Sequence, residues 1–289
     1  MQNVTEIKKY VQEYVKENGM SVNFPEIHKR DAYYDDGVTK HEIPNKKILV
    51  GTFPSGQYVY GVCSNDYQLI SYEEEIYSVL QAMDEFPEYG KPTIAIRDYK
   101  NFAKAVITFD FLDLRTENKK VGDIISPRIV LKTSADTTWK RKLQVGALIL
   151  ACANGMTRLT NIRTDQKRHY GDMPIHEQTK PILENFMTTF SAENALFEKW
   201  AEKRFDALQF NQIWEDLPLP ERHKQNIKEL PIIQRGGTPI EKLLVTEKSV
   251  SVWEMNLATS QYYSHFQNEN AGTVEQSETA ISYFANIAS

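Results

Sequence analysis

Two cysteines in 289 residues, Cys63 and Cys152, are too few for a disulfide framework. They stand far apart inside apolar, strand-like runs, so both read as core thiols of a protein kept in a reducing compartment. Long apolar runs are missing as well. The longest uncharged one, Leu143 to Met156, is too short to cross a bilayer, which excludes a membrane-spanning helix and a membrane partner. At the N-terminus Lys8, Lys9 and Lys16 are spread through a polar helical pattern, whereas a secretory leader has a short basic head followed by an apolar block. A cytoplasmic location is expected.

Catalytic sets are equally scarce. Gly51-Thr52-Phe53-Pro54-Ser55-Gly56 has the glycine spacing of a phosphate-binding loop. However, Gln57 and Tyr58 occupy the places of the lysine and the hydroxyl residue that would hold phosphate and magnesium, so a hairpin turn is expected there. The six histidines, at 28, 41, 169, 176, 223 and 265, lack the close Cys, Asp or Glu spacing of a zinc site. Cys152 and His169 could be a thiolate and its base, but Ala151 and Ala153 flank the thiol in an apolar strand where desolvation suppresses reactivity. Asp110 and Asp113, three apart on a strand, point to opposite faces and read as solvent-facing or turn carboxylates rather than a metal pair. The expectation is a protein without catalytic residues, metal or cofactor.

What is present organises the chain. Val4, Ile7, Val11, Tyr14 and Val15 form one helical stripe over residues 3 to 17. Residues 18 to 46, with Gly19, Pro25, Gly37 and Pro44 and no period, read as an irregular arm. Strand pairs follow around Pro54-Ser55-Gly56, at 93–97 with 105–111, and at 124–133 with 143–152. Between the first two, Ser71 and Glu74 form a capping-box pattern ahead of Tyr72, Ile76, Val79, Leu80 and Met83 at helical spacing. Three hairpins in series predict an antiparallel sheet, hence an α+β fold with an N-terminal helical arm and a helical C-terminal third. With 41% hydrophobic residues a packed core is ample. The expected divisions are an arm over 1–45, a β-hairpin core over 46–190 and a helical region over 191–289 packed on that core. Ser191 could cap a long helix carrying Ala195, Leu196, Trp200, Phe205 and Leu208 and ending near Trp214. Pro218, Pro220, Pro231, Pro239 and Gly236-Gly237 mark a flexible boundary before helices at 251–266 and 273–287.

Charge is segregated. Arg128 to Tyr170 holds nine Lys and Arg against Asp136 and Asp165, in a chain whose net charge is −5. The segments on either side are acidic, so partners of different charge would approach different parts of the molecule. Trp139, Lys140, Arg141, Lys142, Arg158, Arg163, Lys167, Arg168 and His169 are the candidate contact surface. A tryptophan beside three cations on a hairpin tip suits a single-stranded nucleic acid; lysines on a hairpin also serve solubility. Trp253, Asn256, Tyr262 and Tyr263 on the C-terminal helix are candidates for an oligomer interface, since interfaces favour Tyr and Trp, with a core role as the bland alternative.

Several blocks resemble one family. Tyr60-Gly61-Val62 with Tyr67-Gln68, then Ser134-Ala135-Asp136 and Trp139, Cys152-Ala153-Asn154-Gly155-Met156, Arg168-His169-Tyr170-Gly171, and finally Trp253, Asn256, Ala258, Thr259, Tyr262 and His265 occur in the order of the phage/plasmid-like domain of unknown function 932. The resemblance covers roughly residues 55 to 266. Thr137 stands where that family's "S-x-D-G" turn has glycine, and Tyr170 where it has threonine. The resemblance implies a mobile-element origin, and so a host cytoplasm, but no reaction. Two functions are expected from this. The first is a non-enzymatic accessory protein that binds a host protein complex and blunts a DNA-targeting defence, as a homo-oligomer; the second is a single-stranded DNA-binding or annealing protein of phage recombination. The acidic flanks, which would repel DNA, favour the first.

Overall fold

The computed structural model describes residues 3–118, 123–149, 156–159, 165–167, 175–265 and 271–288. In chain order its first half runs α1 (Val4–Glu17), β1 (Glu26–Asp35), β2 (Lys40–Phe53), β3 (Gly56–Ser64), α2 (Tyr72–Met83), β4 (Thr93–Tyr99), β5 (Lys104–Asp110), β6 (Thr116–Asn118), β7 (Asp123–Ser134) and β8 (Arg141–Ile149). Then follow β9 (Met156–Leu159), β10 (Asp165–Lys167), α3 (Ile175–Glu184), α4 (Phe186–Glu202), β11 (Arg204–Phe205), α5 (Ala207–Asp216), α6 (Glu221–Glu229), α7 (Ile240–Thr246), β12 (Val250–Ser251), α8 (Val252–His265) and α9 (Ala271–Ala288). The fold is α+β with antiparallel sheets, as the hairpin pattern predicts. Two compact units share the chain. The first comprises Met1–Phe111, Ile129–Gln144 and Asn161–Phe186, and the second Leu112–Arg128, Val145–Thr160 and Met187–Ser289.

In the first unit, α1 buries Val11, Tyr14 and Val15, while Val4 of the same stripe stays half exposed. Asn18 Oδ1, just beyond the helix, accepts from Ile94 N at 3.0 Å and ties its end to β4. The irregular arm expected over 18–46 is mostly sheet. β1 pairs antiparallel with β2 from Glu26 opposite Thr52 to Asp35 opposite Lys40, and β3 continues the sheet beyond β2. Strand pairing overrides the turn-forming composition here, because Gly37 (φ 89°) turns the β1–β2 hairpin and Pro44 falls within β2. Pro54-Ser55 closes the β2–β3 hairpin, so the glycine-spaced loop is a turn. Cys63 is buried with Leu49 and Tyr67, and desolvation raises its thiol pKa; Cys152 lies outside the described residues. The capping box forms as expected: Ser71 Oγ accepts from Glu74 N at 3.2 Å and Ser71 N donates to Glu74 Oε2 at 2.8 Å. The larger sheet has the order β10-β8-β7-β5-β4, with β6 on β7 and β9 on β8. Thr133 and Arg141 both reach Glu75 of α2, which identifies the helix-facing side of that sheet. Asp110, at the end of β5, is buried rather than solvent-facing.

In the second unit, helices α4 to α9 enclose Phe197, Trp200, Phe210, Trp214, Trp253 and Phe284. The single long helix expected up to Trp214 is two. The chain leaves α4 to pair β11 with β12, Arg204 opposite Ser251 and Phe205 opposite Val250. Asp206 then caps α5, accepting from Gln209 N at 2.9 Å. Ser191 lies inside α4 and Leu208 is exposed, so neither has the expected role. The proline-rich stretch is no boundary either. It folds as α6, a short 3₁₀ turn and α7, burying Leu217, Leu219, Leu230 and Ile232 in the same core. Prolines that cannot continue a helix serve here to start new ones, since Pro220 and Pro239 immediately precede α6 and α7.

Candidate functional site

The hairpin ends β4–β5 and β7–β8 come together in the first unit, and their backbone is unusual. Lys100, Asn101 and Phe102 take φ of 53°, 53° and 59°, three successive left-handed residues without a glycine. Such conformations cost about 1–2 kcal/mol per L-residue, less for Asn. Donors from three other segments hold the turn. Tyr60 Oη donates to Asn101 O at 2.7 Å and Tyr72 Oη to Phe102 O at 2.5 Å, while Ala135 N and Asp136 N donate to Ala103 O at 2.9 and 3.2 Å. Phe102 itself is buried, its ring centroid 5.2 Å from that of Tyr72 and 5.6 Å from that of Phe24. Burial raises the hydroxyl pKa of both Tyr60 and Tyr72, so these phenols serve as neutral donors. A bulge in β3 puts Tyr60 between Val59, which pairs with Val50, and Gly61, which pairs with Leu49. The neighbouring Gly61 has little room for a side chain: a Cβ there would lie 3.2 Å from Asp136 O, a tight contact.

The β7–β8 turn is closed by its own side chains. Ser134 Oγ accepts from Trp139 N at 3.0 Å and donates to Trp139 O at 3.2 Å. Asp136 Oδ1 accepts from Thr138 N at 3.0 Å and Thr138 Oγ1 at 2.6 Å. Thr137 has φ 64°, the left-handed region that glycine enters freely, at the position where the resembled turn carries glycine. The first two blocks of the resemblance therefore meet in space, Tyr60-Gly61 against Ser134-Ala135-Asp136, and their work is to hold these turns.

The basic hairpin tip is less exposed than its composition suggests. Lys140 is exposed, Trp139 and Lys142 are half-buried, and Arg141 is only 4% exposed. Arg141 is thus removed from the contact surface: its Nε lies 2.5 Å from Oε2 of Glu75, which is 1% exposed. Strand alternation explains this, because Arg141 points to α2 and Lys142 to the opposite face. Trp139 is engaged as well. Lys104 Nζ lies 4.8 Å and Lys132 Nζ 5.6 Å from its ring centroid, and Tyr99 packs against it at 6.3 Å and 70°. Lys104 and Tyr99 were not legible as site residues; only their place flanking one hairpin loop could have suggested them. Arg163, Arg168 and His169 lie outside the described residues, as do the side chains of Arg158 and Lys167.

Exposed apolar side chains gather on the three-stranded sheet instead. Tyr33, Tyr34 and Val38 belong to the β1–β2 hairpin and Tyr58, Val59 and Val62 to β3; Val38 is 90% exposed. The tip that presents Val38 is braced. Asp36 Oδ1 accepts from Val38 N and Thr39 N at 2.9 and 2.8 Å, Asp36 Oδ2 meets His41 Nε2 at 2.7 Å, and Tyr34 stacks on the His41 ring at 4.9 Å. These hydrogen bonds, from Thr39 foremost, hold the Asp36 carboxyl below its ordinary range.

In the second unit the expected oligomer residues are core. Trp253, Asn256, Tyr262 and Tyr263 are all less than a tenth exposed, because α8 is buried at every described side chain from Val252 to Tyr263. His223 Nδ1 lies 3.0 Å from Tyr263 Oη; burial, and then the charge of Arg222, lower its pKa. Glu254, 4% exposed, receives Ser251 N at 2.8 Å and faces Arg235 Nε at 2.8 Å and Arg204 Nη2 at 3.5 Å; Glu247 pairs with the same two arginines. This alternating ring of charges joins the β11 strand, the 3₁₀ turn and the N-terminus of α8.

Among the described residues no three His, Cys, Asp or Glu converge as metal ligands, and no helix is long and apolar enough to cross a membrane. No curated protein and no solved structure matches the chain. The profile of the family described as Domain of unknown function (DUF932) matches residues 59–277, a span that includes the Tyr60 bulge, the Ser134–Trp139 turn and α8. By that match over most of its length, this chain belongs to the DUF932 family.

Proposed function

We propose that this protein is a non-enzymatic accessory protein of phage or plasmid type that acts by binding a protein complex of its host, and that the complex belongs to a DNA-targeting defence. The observation that carries the binding reading is the apolar and aromatic surface of the three-stranded sheet. Tyr33, Tyr34, Val38, Val59 and Val62 are each more than half exposed, and Val59 and Val62 lie in a run uncharged from Ile48 to Asn65. Exposed Tyr and Val on a braced sheet suit a protein partner, whose interface core is depleted of charge. Single-stranded DNA at the hairpin tip as the main activity finds less support, since Arg141, one of the cations that suggested it, is inside. The mobile-element setting follows from the resemblance alone.

The test is phage plating on host strains that carry single, defined DNA-targeting defences, with and without this chain expressed. Wild type should restore plating on at least one strain and co-purify with that strain's defence complex. The triple variant Tyr33→Thr, Val59→Thr, Val62→Thr, which keeps strand propensity, should lose both. Rescue on no strain, or equal rescue by the variant, rejects the reading.

A further inference from the structure

The larger sheet of the first unit has a second face. Thr133 and Arg141 point to α2, so by alternation Lys132 of β7 and Lys142 and Gln144 of β8 point away from it. Tyr99 and Lys104, directly opposite each other on β4 and β5, share that face because both approach the Trp139 ring. Arg97, two residues before Tyr99, lies on it too. Four cations and two aromatic rings thus occupy one sheet face. Asp110, a carboxylate of this face, stands at the far end of β5 from Lys104, about 20 Å away at 3.3–3.4 Å per residue.

This arrangement is poorly explained by stability. Lys132 is 5% exposed, and a second ammonium, that of Lys104, is brought to the same indole, a like-charge placement at one ring. Among the described residues neither Lys104 nor Lys142 has a carboxylate partner. Gln144, 1% exposed on the same face, has an Oε1 with no hydrogen-bond partner. The left-handed turn at 100–102 and the Ser134–Trp139 turn fix the strand ends that carry Lys104 and Trp139, and strained backbone held by many donors is frequent at binding sites.

We propose that this face binds a nucleotide, its phosphate on Lys104, Lys132 and Lys142 and its base against Trp139, with Gln144 supplying an acceptor for a base N–H. Ammonium groups neutralise phosphate while an indole stacks any base, the combination used for single strands and for free nucleotides alike. The site is separate from the apolar sheet surface, and it stands or falls independently of the protein-binding reading.

Trp139 emission reads the site directly, because Trp200, Trp214 and Trp253 are buried in the second unit. The full chain is titrated at low salt with thymidine monophosphate, with a short oligo-deoxythymidine and with dextran sulfate. Saturable quenching is expected with the oligonucleotide or the monophosphate. The logarithm of the oligonucleotide binding constant should fall with the logarithm of salt at a slope of about −0.7 per phosphate neutralised. Quenching by the monophosphate identifies a free-nucleotide site, and quenching by the oligonucleotide alone a strand site; both support the shared chemistry. The double variant Lys104→Gln, Lys142→Gln, checked for retained fold by circular dichroism, should bind at least about tenfold more weakly, as expected for two lost phosphate contacts. No quenching by either nucleotide, unchanged affinity in the variant, or equal affinity for dextran sulfate overturns the proposal.

Discussion

Replacing Arg141 by Met tests whether this arginine belongs to a surface or to the core. In the structure its Nε sits 2.5 Å from Glu75 Oε2, with both side chains almost wholly out of solvent at 4% and 1% exposure, and Thr133 Oγ1 contributes a longer bond of 3.4 Å to the same carboxylate. Arg141→Met leaves Glu75 charged and unpaired in a place water does not reach, a loss of about 3–5 kcal/mol. With a urea slope of about 2 kcal/mol per molar, the unfolding midpoint should fall by about 2 M. Hydrogen exchange of the α2 amides during the titration reports the first unit alone. The pair is imperfect even when intact, since Arg141 Nη2 has no partner. The double replacement Glu75→Leu with Arg141→Met should therefore recover most of the loss, because removing both charges removes the desolvation penalty together with the attraction. Had Arg141 been a solvated contact residue, the single change would move stability by no more than about 0.5 kcal/mol. A single-variant loss below about 1 kcal/mol, or a double variant as unstable as the single, refutes the buried-pair account.

Two further outcomes follow from the same unit. Thr137→Gly relieves a β-branched residue at φ 64° and should stabilise by about 0.5–1 kcal/mol after the entropy of glycine is counted, measured as a rise in urea midpoint; a destabilised variant contradicts the assigned turn. Glu73 is 4% exposed with Oε2 unbonded, and burial, opposed by its own backbone N–H and by Lys8, raises its pKa above the ordinary 4.5. A carboxyl with a raised folded pKa binds its proton more tightly folded than unfolded, so its contribution is full below pH 4.5 and is lost as pH rises through the folded value. Glu73→Gln should accordingly be more stable than wild type at pH 7 and lose that advantage by pH 4; parallel stability curves would show that the group is not buried in its charged form.

How much was legible in the sequence varied by feature. Local signals carried well: the Ser71–Glu74 box, the Pro54-Ser55 turn and the three hairpins depend on neighbours in the chain, and each formed where the pattern placed it. Patterns whose meaning depends on distant partners did not. Residues 18–46 read as irregular because Gly37 and Pro44 are turn residues by composition, and only the pairing of β1 with β2 places them in a sheet. The proline-rich stretch before α8 looked like a hinge because its leucines are spaced without a period, and only the packed core of the second unit gives them a common destination. Trp253, Asn256, Tyr262 and Tyr263 were aromatic and polar residues at helical spacing, a pattern shared by interfaces and interiors; burial decided for the interior.

By itself the sequence determined the α+β class, the charge segregation and the family, because alternation, capping and ordered blocks are properties of the chain read locally. Tertiary structure alone decided which cations face outward. Alternation says only that Arg141 and Lys142 oppose each other; which of the two meets solvent depended on where α2 brought Glu75. It also decided that Tyr60 and Tyr72, from separate segments, clamp the left-handed turn beside Trp139, for which no spacing along the chain gives a sign.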